Sequence, residues 1–194
     1  MHEYKIMEDM KYPLLGSIEG YKLELKLIYR VYNKTKDILK KEKNIGLNAN
    51  IIKQLEYRMI SSNIINIISA WEQQLYLFIY DIFDKSITNK YDLIRDECYI
   101  NKLGIDKNLF DQLSVYRKLN NALKHGTGKS YEELKKKNTK YTDYPSKFIE
   151  LIDCPAFNIP VLNLEETDVE NIGQIFYNFW NSIIIEIEKR LSKW

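Results

Sequence analysis

The stretch from about Asn50 to Asp84 constrains this fold most, because it contains neither glycine nor proline and can run as one uninterrupted helix. Its centre, ISSNIINIISAWEQQLYLFIYDIF, places apolar residues on more than one face of that helix. A helix with this pattern has to be covered by neighbouring elements on several sides. We therefore expect it to form the centre of a helical bundle.

Two amphipathic segments are predicted to be further helices, since their apolar residues recur at three- and four-residue steps. The first runs from Ser17 to about Lys41, and its basic end, KDILKKEK, is typical of a solvated helix terminus. The second covers residues 107–125 behind Asp106, which is a typical cap residue. Gly126 follows it at the position where a left-handed C-cap glycine usually lies.

Two capping boxes predict where the remaining helices begin. Ser130 and Glu133 open the short segment SYEELKKK, while Thr167 and Glu170 open a final helix through IGQIFYNFWNSIIIEIEKRL. Between them, residues 139–165 contain three prolines. We expect a loop-rich insertion there, in which FNIPVLNL is either extended or an edge strand.

The whole chain, residues 1–194, is therefore predicted to be one all-α domain, a helical bundle of four to five main helices. A hydrophobic content of 45% is enough for a real core. The 29 basic residues are nearly matched by 27 acidic ones, so any nucleic-acid contact has to come from a local patch. No apolar run reaches the roughly 18 residues of a membrane span, and we expect a soluble, cytoplasmic protein without membrane contact.

The two cysteines, Cys98 and Cys154, lie far apart and lack the neighbouring cysteines or histidines of a zinc motif. They are most simply buried free thiols in a reducing compartment. We expect neither a metal ion nor another cofactor.

Residues 116–130, YRKLNNALKHGTGKS, contain two candidate functional patterns. The first, GTGKS, resembles the end of a phosphate-binding loop, but Leu123 stands where such a loop needs its first glycine. A helix also precedes it, and the C-terminal end of a helix presents carbonyl groups, which repel anions. We interpret GTGKS as a helix stop followed by a turn.

The second pattern is a polar row, Arg117, Asn121 and His125, whose members are each four positions apart on one helix. RNA cleavage without a metal needs a base for the 2′-hydroxyl, an acid for the leaving 5′-oxygen and a cation for the phosphorane. Imidazole suits the first two roles, guanidinium suits the third, and a two-fold dimer would supply a second histidine. Each residue taken alone is also ordinary at an exposed helix end.

These residues resemble the HEPN superfamily, whose all-α domains carry the motif RNxxxH near a helix end. Here NNALKHG, residues 120–126, matches the polar residue, the spacing to the histidine and the glycine after it. Asn120 occupies the arginine position, and Arg117 lies one turn earlier, about 5.4 Å along the axis. The sequence AWE at residues 70–72 likewise resembles the tryptophan-glutamate helix of the RiboL-PSP-like and related branches.

The resemblance implies an up-and-down helical bundle. It also implies a homodimeric, metal-independent endoribonuclease that acts as a toxin or as an abortive-infection effector in anti-phage defence. On this hypothesis His125 is the acid and base, Arg117 stabilises charge, and Asn121 positions the phosphate or the 2′-hydroxyl. Asn120 and Lys124 flank this row and are supporting residues. The alternative is a catalytically silent module that binds RNA or a protein partner, such as a cognate antitoxin or another defence protein. A helical scaffold with no site is a third hypothesis.

Residues outside the row have two interpretations each. Trp71 is most simply a core residue whose indole N–H a neighbour satisfies. Glu72, if buried, needs a partner such as Arg117 or His125 and would then orient the site, but it also fits an exposed polar stripe. A third group combines charge with stacking and can hold single-stranded RNA or simply be solvated surface: Tyr116, Tyr131, Lys118, Lys129 and the lysines at 124, 135, 136 and 137.

Overall fold

A computed structural model of the protein describes residues 2–46, 48–82, 106–137, 139–143 and 162–193. These residues form an all-α helical bundle with no strand among them, which confirms the predicted fold class. The described part of the chain contains five α-helices, numbered in chain order: α1 (His2–Asn44), α2 (Ala49–Ile82), α3 (Lys107–His125), α4 (Lys129–Lys136) and α5 (Glu166–Leu191). A short 3-10 helix, Lys140–Thr142, follows α4.

Helix α1 begins at His2, well before the predicted start at Ser17, and continues through Pro13. An interior proline removes one helical hydrogen bond, so the helix needs compensation from packing. One buried stripe at three- and four-residue steps provides it: Met10, Leu14, Ile18 and Tyr21, each no more than 4% exposed. The apolar pattern therefore extends upstream of the segment where the sequence predicts it.

Helix α2 matches its predicted range within two residues at each end. Asn48 caps it, because its Oδ1 accepts a hydrogen bond from the Asn50 N–H at 2.9 Å. The helix carries a run of fully buried isoleucines along its length: Ile60, Ile64, Ile67 and Ile68. No helix in the described ranges has both the length and the apolar character needed to cross a bilayer.

The predicted ends of α3 are confirmed. Asp106 Oδ1 accepts hydrogen bonds from the N–H groups of Asn108 at 2.7 Å and Leu109 at 3.3 Å, as an N-cap does. Gly126 follows the last helical residue with φ of 77°, a left-handed conformation that favours glycine. Sequence signals at both ends of this helix therefore describe its real boundaries.

The two predicted capping boxes are wrong. Helix α4 begins at Lys129 with Gly128 as its N-cap and no side-chain cap, because the Glu133 carboxylate pairs with Lys118 instead of turning back to the backbone. Helix α5 begins at Glu166, and Asp168 Oδ2 accepts the Glu165 N–H at 2.9 Å. Glu165 and Asp168 therefore make one hydrogen bond of a capping box, two residues before the predicted pair of Thr167 and Glu170.

The chain divides into two compact units, and α1, α2, α3 and α5 each contribute a segment to both. We call the first the Trp71 unit; it comprises Met1–Leu25, Ser69–Leu113 and Gly173–Trp194. We call the second the His125 unit; it comprises Lys26–Ile68 and Ser114–Ile172. The single domain over residues 1–194 stays a prediction.

The core of the Trp71 unit is aromatic. The Trp71 ring lies 4.6 Å from the Phe176 ring and 5.2 Å from the Phe179 ring, centroid to centroid, and is 1% exposed. Its core role is therefore confirmed. The predicted partner for the indole N–H is wrong, because phenylalanine rings surround the tryptophan and Nε1 has no hydrogen-bond partner within the described part of the chain.

The predicted insertion, residues 139–165, is described only at its two ends. Residues 162–165 have no regular structure, and backbone hydrogen bonds fix them within the His125 unit. The Leu162 N–H donates to the Tyr57 hydroxyl at 3.2 Å, and the Asn163 N–H donates to the Tyr141 carbonyl at 2.8 Å. The other residues of FNIPVLNL and both cysteines lie outside the described residues.

Candidate functional site

The polar row lies on α3 within the His125 unit. Because α3 is one continuous helix, the members of the row follow one another at single-turn intervals. Arg117 is half-buried, whereas Asn121 and His125 are exposed. The opposite face anchors the helix in the core through three buried side chains: Leu119, Ala122 and Leu123.

The end of α3 holds His125 in the last helical turn. Just after it, the Gly126 N–H donates to the Ala122 carbonyl at 2.9 Å, so the helical hydrogen bonding continues through the histidine. The positive φ of Gly126 then turns the chain away. The histidine therefore lies at the C-terminal end of α3, which is the negative end of the helix dipole.

Asn120, at the position of the motif arginine, lies inside the His125 unit. It is 1% exposed, and its Oδ1 has no hydrogen-bond partner among the described residues. A side chain at this position does not reach solvent or an approaching RNA. On the hypothesis of RNA cleavage, the stabilising cation has to be Arg117 or Lys124, of which Lys124 is exposed.

Two of the three predicted RNA-binding residues make contacts within the protein. Lys118 Nζ lies 2.8 Å from Glu133 Oε2, and this hydrogen bond, together with the lysine charge, lowers the pKa of Glu133. The Tyr116 ring packs edge-on against the Tyr141 ring at 6.4 Å, and burial raises the pKa of Tyr116. Lys129 is exposed, as are the lysines at 135, 136 and 137.

A buried carboxylate, Asp168, supports this part of the unit and has no counterpart in the sequence-based interpretation. Its Oδ1 lies 2.6 Å from Lys140 Nζ and accepts the Tyr141 hydroxyl at 3.4 Å. Burial raises the pKa of Tyr141, and the negative charge of Asp168 raises it further. Because Tyr141 packs against Tyr116, this network connects the start of α5 to the helix that carries the row. In the sequence, this network is indicated only by the position of Asp168 three residues after Glu165, which is the spacing of a capping box.

Glu72 is half-buried and belongs to the Trp71 unit. Its partnership with Arg117 or His125 stays a prediction. Among the described residues, no group of three or more histidine, cysteine, aspartate or glutamate side chains is placed to hold a metal ion.

Comparison of the chain with protein-family models, with curated proteins and with solved structures finds no match. The functional interpretation therefore depends on the chemistry of α3 and its surroundings. What α3 offers at its C-terminal end is an exposed imidazole, an exposed carboxamide one turn away and two cationic side chains, Arg117 and Lys124.

Proposed function

We propose that the protein is a HEPN-like, metal-independent endoribonuclease that acts as a toxin or anti-phage effector, with His125 as its acid and base. One observation carries the proposal. His125 and Asn121 are both exposed, one turn apart, at the end of a helix whose opposite face is buried. Buried positions maintain a fold, whereas an exposed polar pair held by a rigid helix is free to contact a substrate.

The chemistry assigns a role to each exposed group. A neutral imidazole takes the proton of a 2′-hydroxyl, whose oxygen then attacks the adjacent phosphorus and displaces the 5′-oxygen. A protonated imidazole supplies the proton to that leaving oxygen. The products are a 2′,3′-cyclic phosphate and a 5′-hydroxyl. Because the two steps need opposite protonation states, we propose a homodimer in which two copies of His125 share one RNA.

The role of stabilising the negative charge of the phosphorane is assigned to Arg117 or Lys124. Guanidinium is permanently charged and binds phosphate through two parallel hydrogen bonds, so Arg117 is the stronger candidate. It is half-buried and one turn from Asn121, whereas Lys124 is exposed beside His125. Asn121 donates its amide N–H groups to the phosphate or accepts from the 2′-hydroxyl.

The direct test incubates single-stranded RNA in EDTA with the wild type and three variants. We expect His125→Ala to lower the cleavage rate by about 100-fold or more, the usual contribution of an acid–base group. Arg117→Ala should lower it as well, with Gln112→Ala, an exposed change on the same helix, as the matched control. An inert wild type, or a wild type that requires magnesium, contradicts the proposal.

The buried position of Asn120 favours a second candidate function. Without an arginine beside the histidine, the row lacks the fixed cation of the motif, and α3 then serves as a silent surface for RNA or a protein partner such as an antitoxin. In that case RNA is retained on a native gel but stays intact. Growth arrest on expression that His125→Ala relieves would contradict this second candidate.

A further inference from the structure

A cavity of about 200 Å³ lies in the His125 unit and is lined by three lysines from the end of α1. Lys36, Lys40 and Lys43 follow one another at four- and three-residue intervals, so they lie along one face of the helix. These lysines belong to the run KDILKKEK, which the sequence predicts to be a solvated helix end. In the structure these three lysines also line the cavity.

The charges around the cavity are only partly neutralised within the protein. Glu166, in the first turn of α5, forms an ion pair with Lys36. Neither Lys40 nor Lys43 forms an ion pair with any residue that the structure describes. Glu56 also lines the cavity and carries no ion pair within the same ranges. Two ammonium groups and one carboxylate therefore remain for a ligand.

The rest of the lining is apolar. Leu39 is 9% exposed and Met59 is 5% exposed, and both contribute surface to the cavity. Sites for small ligands commonly combine such apolar surface with a few convergent polar groups. The cavity thus offers cations, one acceptor and an apolar wall within one small volume.

We propose that this cavity binds a ribose 5-phosphate group, with the phosphate held by Lys40 and Lys43. A phosphate monoester carries about 1.5 to 2 negative charges at neutral pH. It therefore balances the charge of two ammonium groups better than a ligand with a single carboxylate would. The Glu56 carboxylate repels further anionic oxygens but accepts hydrogen bonds from the sugar hydroxyls. The sugar carbons pack against Leu39 and Met59. A free nucleotide and the 5′ end of an RNA share this chemistry, and the inference does not rest on RNA cleavage.

Calorimetric titration of the full-length protein tests the proposal. We expect saturable binding of ribose 5-phosphate and none of ribose. Lys40→Gln with Lys43→Gln should weaken binding by about tenfold or more, since both charged hydrogen bonds to the phosphate are lost. The matched control is Lys34→Gln with Lys41→Gln, two exposed lysines of α1 outside the cavity lining, and it should bind like the wild type.

Three further ligands identify the source of the phosphate. Binding of a 5′-phosphorylated RNA hexamer that is about tenfold tighter than that of ribose 5-phosphate, and that is lost in the 5′-hydroxyl hexamer, points to an RNA end. Equal binding of AMP and the phosphorylated hexamer points to a free nucleotide. Both results support the phosphate site.

Several results would overturn the proposal of a phosphate site in the cavity. One is no saturation by ribose 5-phosphate, AMP or the phosphorylated hexamer up to about 10 mM. Another is equal weakening in the two double variants, which would mean general attraction by a basic surface. His125→Ala should bind ribose 5-phosphate normally, whatever its effect on cleavage. Loss of binding in that variant would move the ligand to α3 and reject the cavity.

Discussion

Lys140 and Asp168 form an ion pair that is exposed at one end and buried at the other. The lysine Nζ lies 2.6 Å from Oδ1, yet the lysine side chain is 47% exposed and the aspartate side chain 2%. Although burial lowers the pKa of Lys140, the hydrogen bond and charge of Asp168 raise it overall. The same carboxylate caps α5 through the Glu165 N–H. Asp168 therefore depends on Lys140 for its charge balance.

Replacing Lys140 should destabilise the protein far more than replacing a lysine whose carboxylate partner is exposed. Lys140→Met leaves a buried carboxylate without its cation, and we expect a loss of about 3 kcal/mol in the free energy of unfolding. Lys22→Met is the control, because Lys22 pairs at 2.7 Å with Glu19, whose side chain is 69% exposed. This substitution should lower the free energy of unfolding by at most about 1 kcal/mol. Urea unfolding measures both values. Equal losses in the free energy of unfolding would mean that the burial of Asp168 does not make its ion pair more important for stability.

Two glycines of α1 should respond in opposite directions to substitution by alanine. At Gly16 an added Cβ meets nothing within 4 Å, so Gly16→Ala should stabilise the protein by up to about 1 kcal/mol through helix propensity. At Gly20 the added Cβ lies 2.7 Å from Gln74 Oε1. Gln74 is buried and donates to Glu24 at 2.5 Å, so it cannot move freely. Gly20→Ala should therefore lower the melting temperature, and a rise equal to that of Gly16→Ala would contradict this account.

Tyr57 should make the protein sensitive to alkaline pH. Burial raises the pKa of Tyr57 to about 12, although the hydrogen bond from the Leu162 N–H lowers it. Because the unfolded phenol ionises near pH 10, the stability it contributes is complete below pH 10 and is lost as the pH rises from 10 to 12. The loss amounts to about 3 kcal/mol for two pKa units.

Tyr57→Phe removes this titration. Its free energy of unfolding should be lower at pH 8, because the Leu162 N–H loses its acceptor, but it should fall less steeply between pH 10 and 12. Tyr12→Phe, at a side chain 76% exposed, should keep the wild-type slope. Identical slopes for all three proteins would show that the Tyr57 hydroxyl does not couple to folding.

An arginine placed at position 120, where the HEPN motif has one, should destabilise the protein. Asn120→Arg places a guanidinium at a position that is 1% exposed, and we expect a loss of about 3 kcal/mol or more. Asn121→Arg is the matched control, since the same substitution at the exposed neighbouring position should change stability by no more than about 0.5 kcal/mol. Thermal unfolding compares the two. An Asn120→Arg variant as stable as the wild type would mean that this position opens toward the solvent.

Much of the fold could be predicted because its long helices are strongly periodic. The ranges of α2 and α3 follow from apolar spacing and from the cap residues Asp106 and Gly126. The start of α1 could not be predicted from local signals, since Pro13 indicates an end where buried packing continues the helix. The cap of α5 could not be predicted for a different reason. Glu165 with Asp168 and Thr167 with Glu170 have the same spacing, and only burial of Asp168 decides between them.

The candidate site, like the fold, could be predicted from the sequence only in part. The spacing of Arg117, Asn121 and His125 places them on one face of a helix without any structure. Which of them reaches solvent depends on how α3 packs, and so does the burial of Asn120. The partners of Lys118 and Tyr116 are Glu133 and Tyr141. Local sequence patterns do not predict contacts between residues that lie this far apart in the chain.

The end groups of cleaved RNA test the central claim most directly. A defined single-stranded RNA is incubated in EDTA with the wild type, His125→Ala and the Gln112→Ala control, and the new ends are identified by mass spectrometry. We expect 2′,3′-cyclic phosphate and 5′-hydroxyl ends from the wild type and the control, with at least about 100-fold less product from His125→Ala. Intact RNA with the wild type, or equal cleavage by His125→Ala, would contradict the proposal that His125 is the catalytic acid and base.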